Sequence, residues 1–153
     1  MRCRVVPPEL QGPVCFGHLV PDGLVSQWQS HGRTHVIAQA ELLPVILARI
    51  TWAELLRGFR VVYYIDNEGV REALVSGSSA SLASRDMLRL CGQLECFLEA
   101  ESWYARAPSP SNIAHGPSRL EFGPVLGIPG ASRVEPVWPK RSQDGSLVLK
   151  WGG

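Results

Sequence analysis

Long apolar runs are missing from this chain of 153 residues. No stretch approaches the roughly 18 consecutive apolar residues that a membrane-spanning helix needs. The first residues, MRCRVVPPEL, also lack the extended apolar core of a secretory signal. The sequence therefore predicts a protein that has no membrane partner and lies inside the cell, in the cytoplasm or the nucleus.

Charge of one sign is not in excess either, because 15 Lys and Arg residues face 14 Asp and Glu residues, for a net charge of +1. This balance excludes a basic field over the whole sequence, of the kind that holds many proteins to nucleic acid. A local basic patch is still compatible with it. Net charge alone therefore neither supports nor excludes a nucleic-acid partner.

Cysteine is scarce and badly spaced for a metal site. The four cysteines are Cys3, Cys15, Cys91 and Cys96. They form no C-x2-C pair, and no two histidines lie at zinc-finger spacing. Cys91 and Cys96 fall in a helical pattern, where cysteine usually serves as a small core residue. We expect free thiols in a reducing compartment.

The overall composition is that of a globular chain, with 45% hydrophobic and 19% charged residues. Its length predicts one domain with a real core. After Phe122 the composition changes, since prolines recur at 124, 129, 136 and 139 among glycines. We therefore predict a domain over 1–122 and a Pro/Gly-rich irregular tail or linker over 123–153.

The most informative stretch is Arg60–Val70, RVVYYIDNEGV. Its run Val61–Ile65 is apolar without interruption, which predicts a strand buried on both faces. Asp66 and Asn67 suit a turn or a helix N-cap, and a short helix is predicted over Glu68–Ser76. Ligands gather at the carboxyl ends of such strands, so Asp66 is a candidate site residue. The alternative is that Asp66 only caps the following helix.

A second unusual carboxylate lies in the long helix predicted over Val36–Leu56. Glu41 shares a stripe with apolar residues on both sides, and a carboxylate buried there needs a partner. The other members of the stripe are Ile37, Val45, Ala48 and Trp52. Pro44 predicts either a helix that begins late, near Gln39, or a kink.

The remaining elements complete an α/β pattern. Short strands are predicted at Arg2–Val6 and Pro13–Val20, with a plausible hairpin between them. A helix at Leu82–Glu101 and a strand at Trp103–Ala107 follow the loop Gly77–Ser81, GSSAS. That loop is either a linker with an N-cap or a set of amides and hydroxyls that bind phosphate. The order predicts an α/β fold with a mixed sheet and flanking helices.

Glu41 and Asp66 converge if the long helix packs across the central strand. Buried carboxylates that meet are stable when they share a hard cation such as Mg²⁺. A pair of such ions supports in-line hydrolysis of a phosphodiester.

Four segments resemble the ribonuclease H-like domain of retroelement reverse transcriptases. They are AQAELLPVIL at 38–47, RVVYYIDNEGV at 60–70, GSSAS at 77–81 and WYARAPSPSNIAHGPSR at 103–119. The likeness is nearest to eukaryotic retrotransposon polyproteins with an AELLP helix, an FIDN-type strand and an N-x-A-D-x-P-S-R ending. It covers roughly Met1–Phe122.

The resemblance implies four acidic residues that hold two Mg²⁺ ions, or Mn²⁺ in their place. Glu41 matches the helix Glu of the family and Asp66 matches the Asp that ends the fourth strand. His115 stands where the family has its last Asp. The first-strand Asp has no counterpart, because Pro13–Val20 matches the third family strand and Arg2–Val6 the second. The first strand is therefore expected to be missing.

The resemblance also implies an ancestral activity, the metal-dependent hydrolysis of RNA in RNA–DNA hybrids, which is expected to be weak or lost here. Glu41, Asp66 and His115 are the candidate catalytic residues, and Glu41 and Asp66 the candidate metal ligands. Ser78, Ser79 and Arg119 are candidate contacts to nucleic acid. The expected partners are a hybrid or other nucleic acid and the rest of a reverse transcriptase polyprotein. Two alternatives stay open: a non-catalytic nucleic-acid-binding or assembly module on the same fold, and an unrelated flavodoxin-like domain.

Overall fold

The structure is a computed structural model that describes residues 11–30, 32, 35–143 and 147–148. The predicted strand Arg2–Val6, its hairpin and Cys3 lie outside the described residues. In chain order the elements are β1 (Val14–Cys15), α1 (Asp22–Gln29), α2 (Ile37–Thr51), α3 (Ala53–Leu56), β2 (Arg60–Ile65), α4 (Glu68–Ser76), α5 (Leu82–Leu98), β3 (Glu101–Arg106), a 3-10 turn (Ser109–Ser111), α6 (His115–Ser118), α7 (Gly123–Leu126), β4 (Ser132–Arg133), β5 (Lys140–Arg141) and β6 (Leu147–Val148).

The predicted α/β class is confirmed, but the described strands form three separate two-stranded sheets, two parallel and one antiparallel, rather than one mixed sheet. Strands β2 and β3 pair in parallel over six residues each, from Arg60 beside Glu101 to Ile65 beside Arg106. Their connection runs through α4 and α5, as a parallel pair requires. The predicted boundaries of α4 agree with the structure, and those of β2, α5 and β3 agree to within a few residues. No helix of the described residues has the length and hydropathy to cross a membrane.

The prediction that β2 is buried on both faces is wrong. Val61, Tyr63 and Ile65 are half-buried, but Val62 is 52% exposed and Tyr64 68% exposed. Trp103, which pairs with Val62 on the same face of the sheet, is 71% exposed. The sheet is therefore packed on one face only. A continuous apolar run cannot reveal this, because it looks the same whether one or both faces are covered.

The core lies between the inner face of this sheet and the two long helices. Helices α2 and α5 supply most of its buried residues. The buried residues of α5 include Met87, Leu90, Cys91, Leu94 and Leu98. Cys91 is thus the core residue that its helical pattern predicts, whereas Cys96 is exposed. The described cysteines, at positions 15, 91 and 96, are free thiols, as expected.

Helix α2 differs from its prediction in two respects. It begins at Ile37 and runs through Pro44, so the late start near Gln39 is wrong. The stripe containing Glu41 is not buried at its beginning, since Ile37 is 64% exposed and Glu41 is itself exposed. The buried positions are Gln39, Leu42, Leu43, Val45, Ile46, Leu47 and Arg49. Almost every position of this helix is apolar, so the sequence pattern had no clear phase with which to choose the buried face.

The described part of the segment after Phe122 packs on the rest of the chain. Strand β4 pairs in parallel with β1, and Val125 is buried. The Val137 amide donates a hydrogen bond to Thr51 Oγ1 at 2.9 Å. The boundary between a domain and a tail at this point remains a prediction.

Strand β1 is shorter than the predicted Pro13–Val20. Two glycines, Gly12 before β1 and Gly130 before β4, allow the backbones of these two segments to approach closely. A Cβ on Gly130 would lie 2.3 Å from the Gln11 carbonyl oxygen, and a Cβ on Gly12 would lie 2.4 Å from the Gly130 carbonyl carbon. Only glycine permits this approach. Strands β5 and β6 then pair antiparallel.

Candidate functional site

Asp66 lies directly after β2, where the sequence analysis placed a site. It does not cap α4, because that role belongs to Asn67, whose side-chain oxygen accepts a hydrogen bond from the Val70 amide at 3.1 Å. The carboxylate of Asp66 is therefore not used by the helix that follows. The alternative in which Asp66 is only a cap is wrong.

A second element reaches Asp66 from the turn after β3. The Asn112 side-chain nitrogen donates a hydrogen bond to Asp66 Oδ2 at 3.2 Å. The Asn112 oxygen accepts from the Ala114 amide at 3.0 Å, which fixes the orientation of the Asn112 amide. This arrangement joins the ends of β2 and β3 at one edge of the sheet. In the sequence, Asn112 is only one residue of the segment WYARAPSPSNIAHGPSR and carries no signal of this role.

Glu41 approaches the same place from the first turns of α2. Partial burial of the carboxylate raises its pKa, the negative charge of Asp66 raises it further, and His115 lowers it. Because Asp66 and His115 both act on the Glu41 pKa, both side chains lie within electrostatic range of the Glu41 carboxylate. The structure thus brings together the three candidate catalytic residues, although the Glu41 residue is exposed rather than buried.

The donor set at this place does not fit a two-ion magnesium centre. Within the described ranges, no three His, Cys, Asp or Glu side chains are grouped so that they could hold a metal ion. Glu41 and Asp66 offer the hard oxygen ligands that Mg²⁺ prefers, but His115 offers nitrogen and Asn112 presents its N–H group to Asp66. With its pKa raised, Glu41 also competes for a proton.

The serines of the loop Gly77–Ser81 are largely engaged within the loop itself. Ser78 Oγ lies 3.2 Å from Ser76 Oγ, and Ser79 Oγ accepts from the Ser81 amide at 3.2 Å. Arg85 donates to the Ser79 carbonyl oxygen at 2.7 Å. These contacts describe a linker that ends in a cap, since Ser81 is the N-cap of α5. Ser78 is exposed and Ser79 is half-buried.

A polar contact that the sequence did not predict ties α2 to the beginning of α5. Gln39, two residues before Glu41, donates hydrogen bonds to Ser81 Oγ at 3.0 Å and to Ser84 Oγ at 2.9 Å. Gln39 is only 4% exposed. The contact fixes the first turn of α2, which carries Glu41, against the cap of α5.

A second buried polar cluster lies further along α2. Arg49 is 1% exposed and donates hydrogen bonds to the hydroxyls of Tyr63, Ser102 and Tyr104, at 3.2, 2.8 and 2.5 Å, and to the Cys91 carbonyl oxygen at 2.8 Å. The only signal in the sequence was an arginine inside a helix of apolar residues. Its partners are distant in the chain, so spacing could not identify them.

Arg119 and His115 lie at the two ends of α6. His115 begins this short helix and is exposed, and Arg119 follows its last residue and is also exposed. Of these two residues, only His115 acts on the pKa of Glu41.

The chain was also compared with models of known protein families, with curated proteins and with solved structures, and none of the three comparisons found a match.

Proposed function

We propose that the chain is a ribonuclease H-like domain, derived from a retroelement reverse transcriptase, that engages RNA–DNA hybrids and hydrolyses their RNA strand weakly or no longer. Recognition of such a hybrid depends on its backbone and its 2′-hydroxyl groups, reached across a wide minor groove.

One observation carries the proposal: Asp66, Asn112, Glu41 and His115 come from three separate parts of the chain and meet at the carboxyl end of β2. The Asn112–Asp66 hydrogen bond of 3.2 Å and the influence of Asp66 and His115 on the Glu41 pKa are the evidence for that meeting. These are the positions at which the sequence motifs match the family.

Weak hydrolysis follows from the charges at the site. In the family, four carboxylates hold the metal ions, whereas this site offers only Glu41 and Asp66. The raised pKa of Glu41 means that it also holds its proton more tightly than an ordinary glutamate does. If a divalent ion binds, Glu41 and Asp66 would hold it, and it would supply electrophilic stabilisation of the phosphate. The chain's own contribution would be to position the backbone of the hybrid against Asp66.

The direct test is cleavage of a labelled RNA–DNA hybrid in Mg²⁺ or Mn²⁺, by the wild-type chain and by Asp66→Asn. We expect slow cleavage that Asp66→Asn abolishes, or no cleavage by either protein. Cleavage that persists unchanged in Asp66→Asn would exclude this site as its source. Asp86→Asn, which removes an exposed carboxylate on α5, is the matched control and should behave as the wild type does.

A non-catalytic hybrid-binding module is the second candidate, and the groups beside the carboxylates favour it. An amide at Asn112 and an imidazole at His115 place less negative charge beside a phosphate backbone than two carboxylates would. This candidate predicts hybrid binding that weakens steeply with salt and does not require Mg²⁺. Binding measured with and without a chelator separates the two candidates. Absence of binding in both conditions contradicts both.

A further inference from the structure

The outer edge of β2 carries backbone groups that no strand of the described residues pairs with. The carbonyl oxygens of Phe59 and Ile65 accept hydrogen bonds from the Glu101 and Ala107 amides, so odd-numbered peptide groups of β2 face β3. Successive peptide groups of a strand point to opposite edges, and those of Arg60, Val62 and Tyr64 therefore point away from β3. In the part of the chain that the structure describes, no strand pairs with this outer edge.

The side chains beside this edge are apolar and exposed. Val62, Tyr64 and Trp103 are 52%, 68% and 71% exposed and share the outer face of the sheet. Strand β2 contains no proline and no lysine, the residues that commonly protect an edge from pairing. Parallel sheets are normally covered on both faces. An unprotected edge of this kind is a template for pairing with another strand.

The charges at the two ends of β2 indicate which strand. Arg60 begins β2 and Asp66 follows its end, at equal distances from Tyr63. In an antiparallel pair of identical strands centred on Tyr63, Arg60 of each copy lies opposite Asp66 of the other. Val62 then lies opposite Tyr64, which is a favourable pair of β-branched and aromatic side chains. The strand is therefore complementary to itself in charge and in apolar character.

We propose that β2 pairs edge to edge with β2 of a second copy of this chain, about a two-fold axis at Tyr63, to form a four-stranded sheet in the order β3-β2-β2-β3. A two-fold interface uses the same surface on both copies, and the arrangement of Arg60 and Asp66 meets that condition.

The register is specified as well as the partner. If the register slipped by one residue, outer-face side chains of one copy would be paired with inner-face side chains of the other. A slip of two residues would place Val62 opposite the carboxylate of Asp66, or would place Arg60 opposite Tyr64 and leave Asp66 without a partner in the ladder. Only the register centred on Tyr63 combines opposite charges with the apolar pair.

The dimer would bring a cation to each candidate site. Arg60 already forms an ion pair with Glu101 on the outer face, at 2.5 Å, and its guanidinium has further donors for Asp66 of the second copy. Each site at the end of β2 would then include one arginine supplied by the other copy. The pairing itself does not depend on the proposed function.

The test uses two charge reversals, R60E and D66K, studied separately and mixed. Each variant alone places like charges opposite each other twice, and we expect its dimer dissociation constant to rise at least about tenfold. In an equimolar mixture, the carboxylate introduced at position 60 faces the ammonium introduced at position 66, while native Asp66 faces native Arg60. Sedimentation equilibrium across a dilution series should show that the mixture regains association close to that of the wild type.

The controls separate loss of pairing from loss of folding. Arg89→Glu reverses the charge of an arginine that is exposed on α5, and it should leave association unchanged. Val62→Lys places a charge at the centre of the edge and should weaken association, and circular dichroism and thermal melting establish that every variant is folded. A wild-type chain that is monomeric at every concentration would overturn the proposal. Association that does not change in R60E and D66K, or that is not restored in their mixture, would overturn it as well.

Discussion

At the scale of single residues, Arg49 shows how a buried cation is stabilised without direct contact to any carboxylate of the described residues. Its guanidinium reaches three hydroxyls and one carbonyl oxygen, and it lies 5.0 Å from the centre of the Tyr63 ring. Ser102, which accepts a hydrogen bond from Arg49, also donates its backbone amide to Glu95 Oε1 at 2.9 Å. The carboxylate of Glu95 therefore contacts a member of the cluster but not Arg49 itself. Burial raises the pKa values of Tyr63 and Tyr104, and both phenols stay neutral at physiological pH.

Replacement of Arg49 by methionine should therefore destabilise the fold. The change leaves several buried polar groups without their donor, and we expect the free energy of unfolding to fall by about 2–4 kcal/mol. Urea denaturation measures this change. Arg89→Met, at an arginine exposed on α5, is the control and should alter stability by less than about 0.5 kcal/mol. Equal stabilities for the two variants would mean that the Arg49 cluster contributes little.

Glu41 provides a prediction that depends on pH. Its folded pKa lies above the ordinary value of 4.5 because of burial and of Asp66. Between the ordinary and the raised pKa, the folded chain binds more protons than the unfolded chain, so stability falls as pH rises through that interval. Glu41→Gln should therefore be more stable than the wild type at neutral pH, and the difference should disappear in acid, below 4.5.

The same coupling can be observed directly by NMR titration of the Glu41 carboxyl. Asp66→Asn should lower the Glu41 pKa and His115→Ala should raise it, because these two groups act on it with opposite signs. Asp86→Asn changes an exposed carboxylate on α5 that does not act on the Glu41 pKa, and it should leave that pKa unchanged. If the Glu41 pKa is the same in the wild type, in Asp66→Asn and in His115→Ala, the three residues do not share a site.

At the scale of elements, two glycines have opposite roles. Gly92 lies inside α5 with open space around it, whereas Gly130 has a φ of +77° and closely approaches Gln11. Gly92→Ala should stabilise the chain by about 0.5–1 kcal/mol, because alanine favours the helix. Gly130→Ala should destabilise it by more than about 1 kcal/mol, because both the backbone angle and the close contact with the Gln11 backbone forbid a Cβ.

The two variants form a matched pair, since each adds one methyl group at a glycine. Thermal melting under identical conditions should shift the transition in opposite directions. A Gly130→Ala chain as stable as the wild type would mean that β4 leaves β1 at little cost.

At the scale of the whole molecule, the segment after Phe122 decides how large the cooperative unit is. Val125 is buried, and Trp138 and Leu147 pack against the core between α2 and α5. A chain that ends at Phe122 should therefore unfold with a free energy lower by several kcal/mol, at about 1.5–3 kcal/mol for each large apolar side chain that loses its burial. Denaturation of the truncated and complete chains is the measurement, and equal stabilities would support the predicted boundary between a domain and a linker.

Much of the local structure was predictable, and the reasons are local. The β-branched and aromatic run of β2, the cap residues after it and the helical period of α5 depend on neighbours in the chain. The position of Asp66 at the end of a strand followed from them. The burial of Glu41 was predicted wrongly. Nearly every residue around it in α2 is apolar, so the helical period of apolar residues did not show which face of α2 is buried.

The sequence by itself determined the strands β2 and β3 and the helices α4 and α5 between them, and that two carboxylates stand at positions where a site can form, because these properties depend on residues close together in the chain. Only the tertiary structure decided that Asn112 contacts Asp66, that Arg49 and Gln39 are the buried polar residues of α2, and that one face of β2 stays exposed. These features depend on groups about 40 residues or more apart, such as Gln39 and Ser81 or Asp66 and Asn112. Their meeting is set by how the helices pack on the sheet, which no local pattern records.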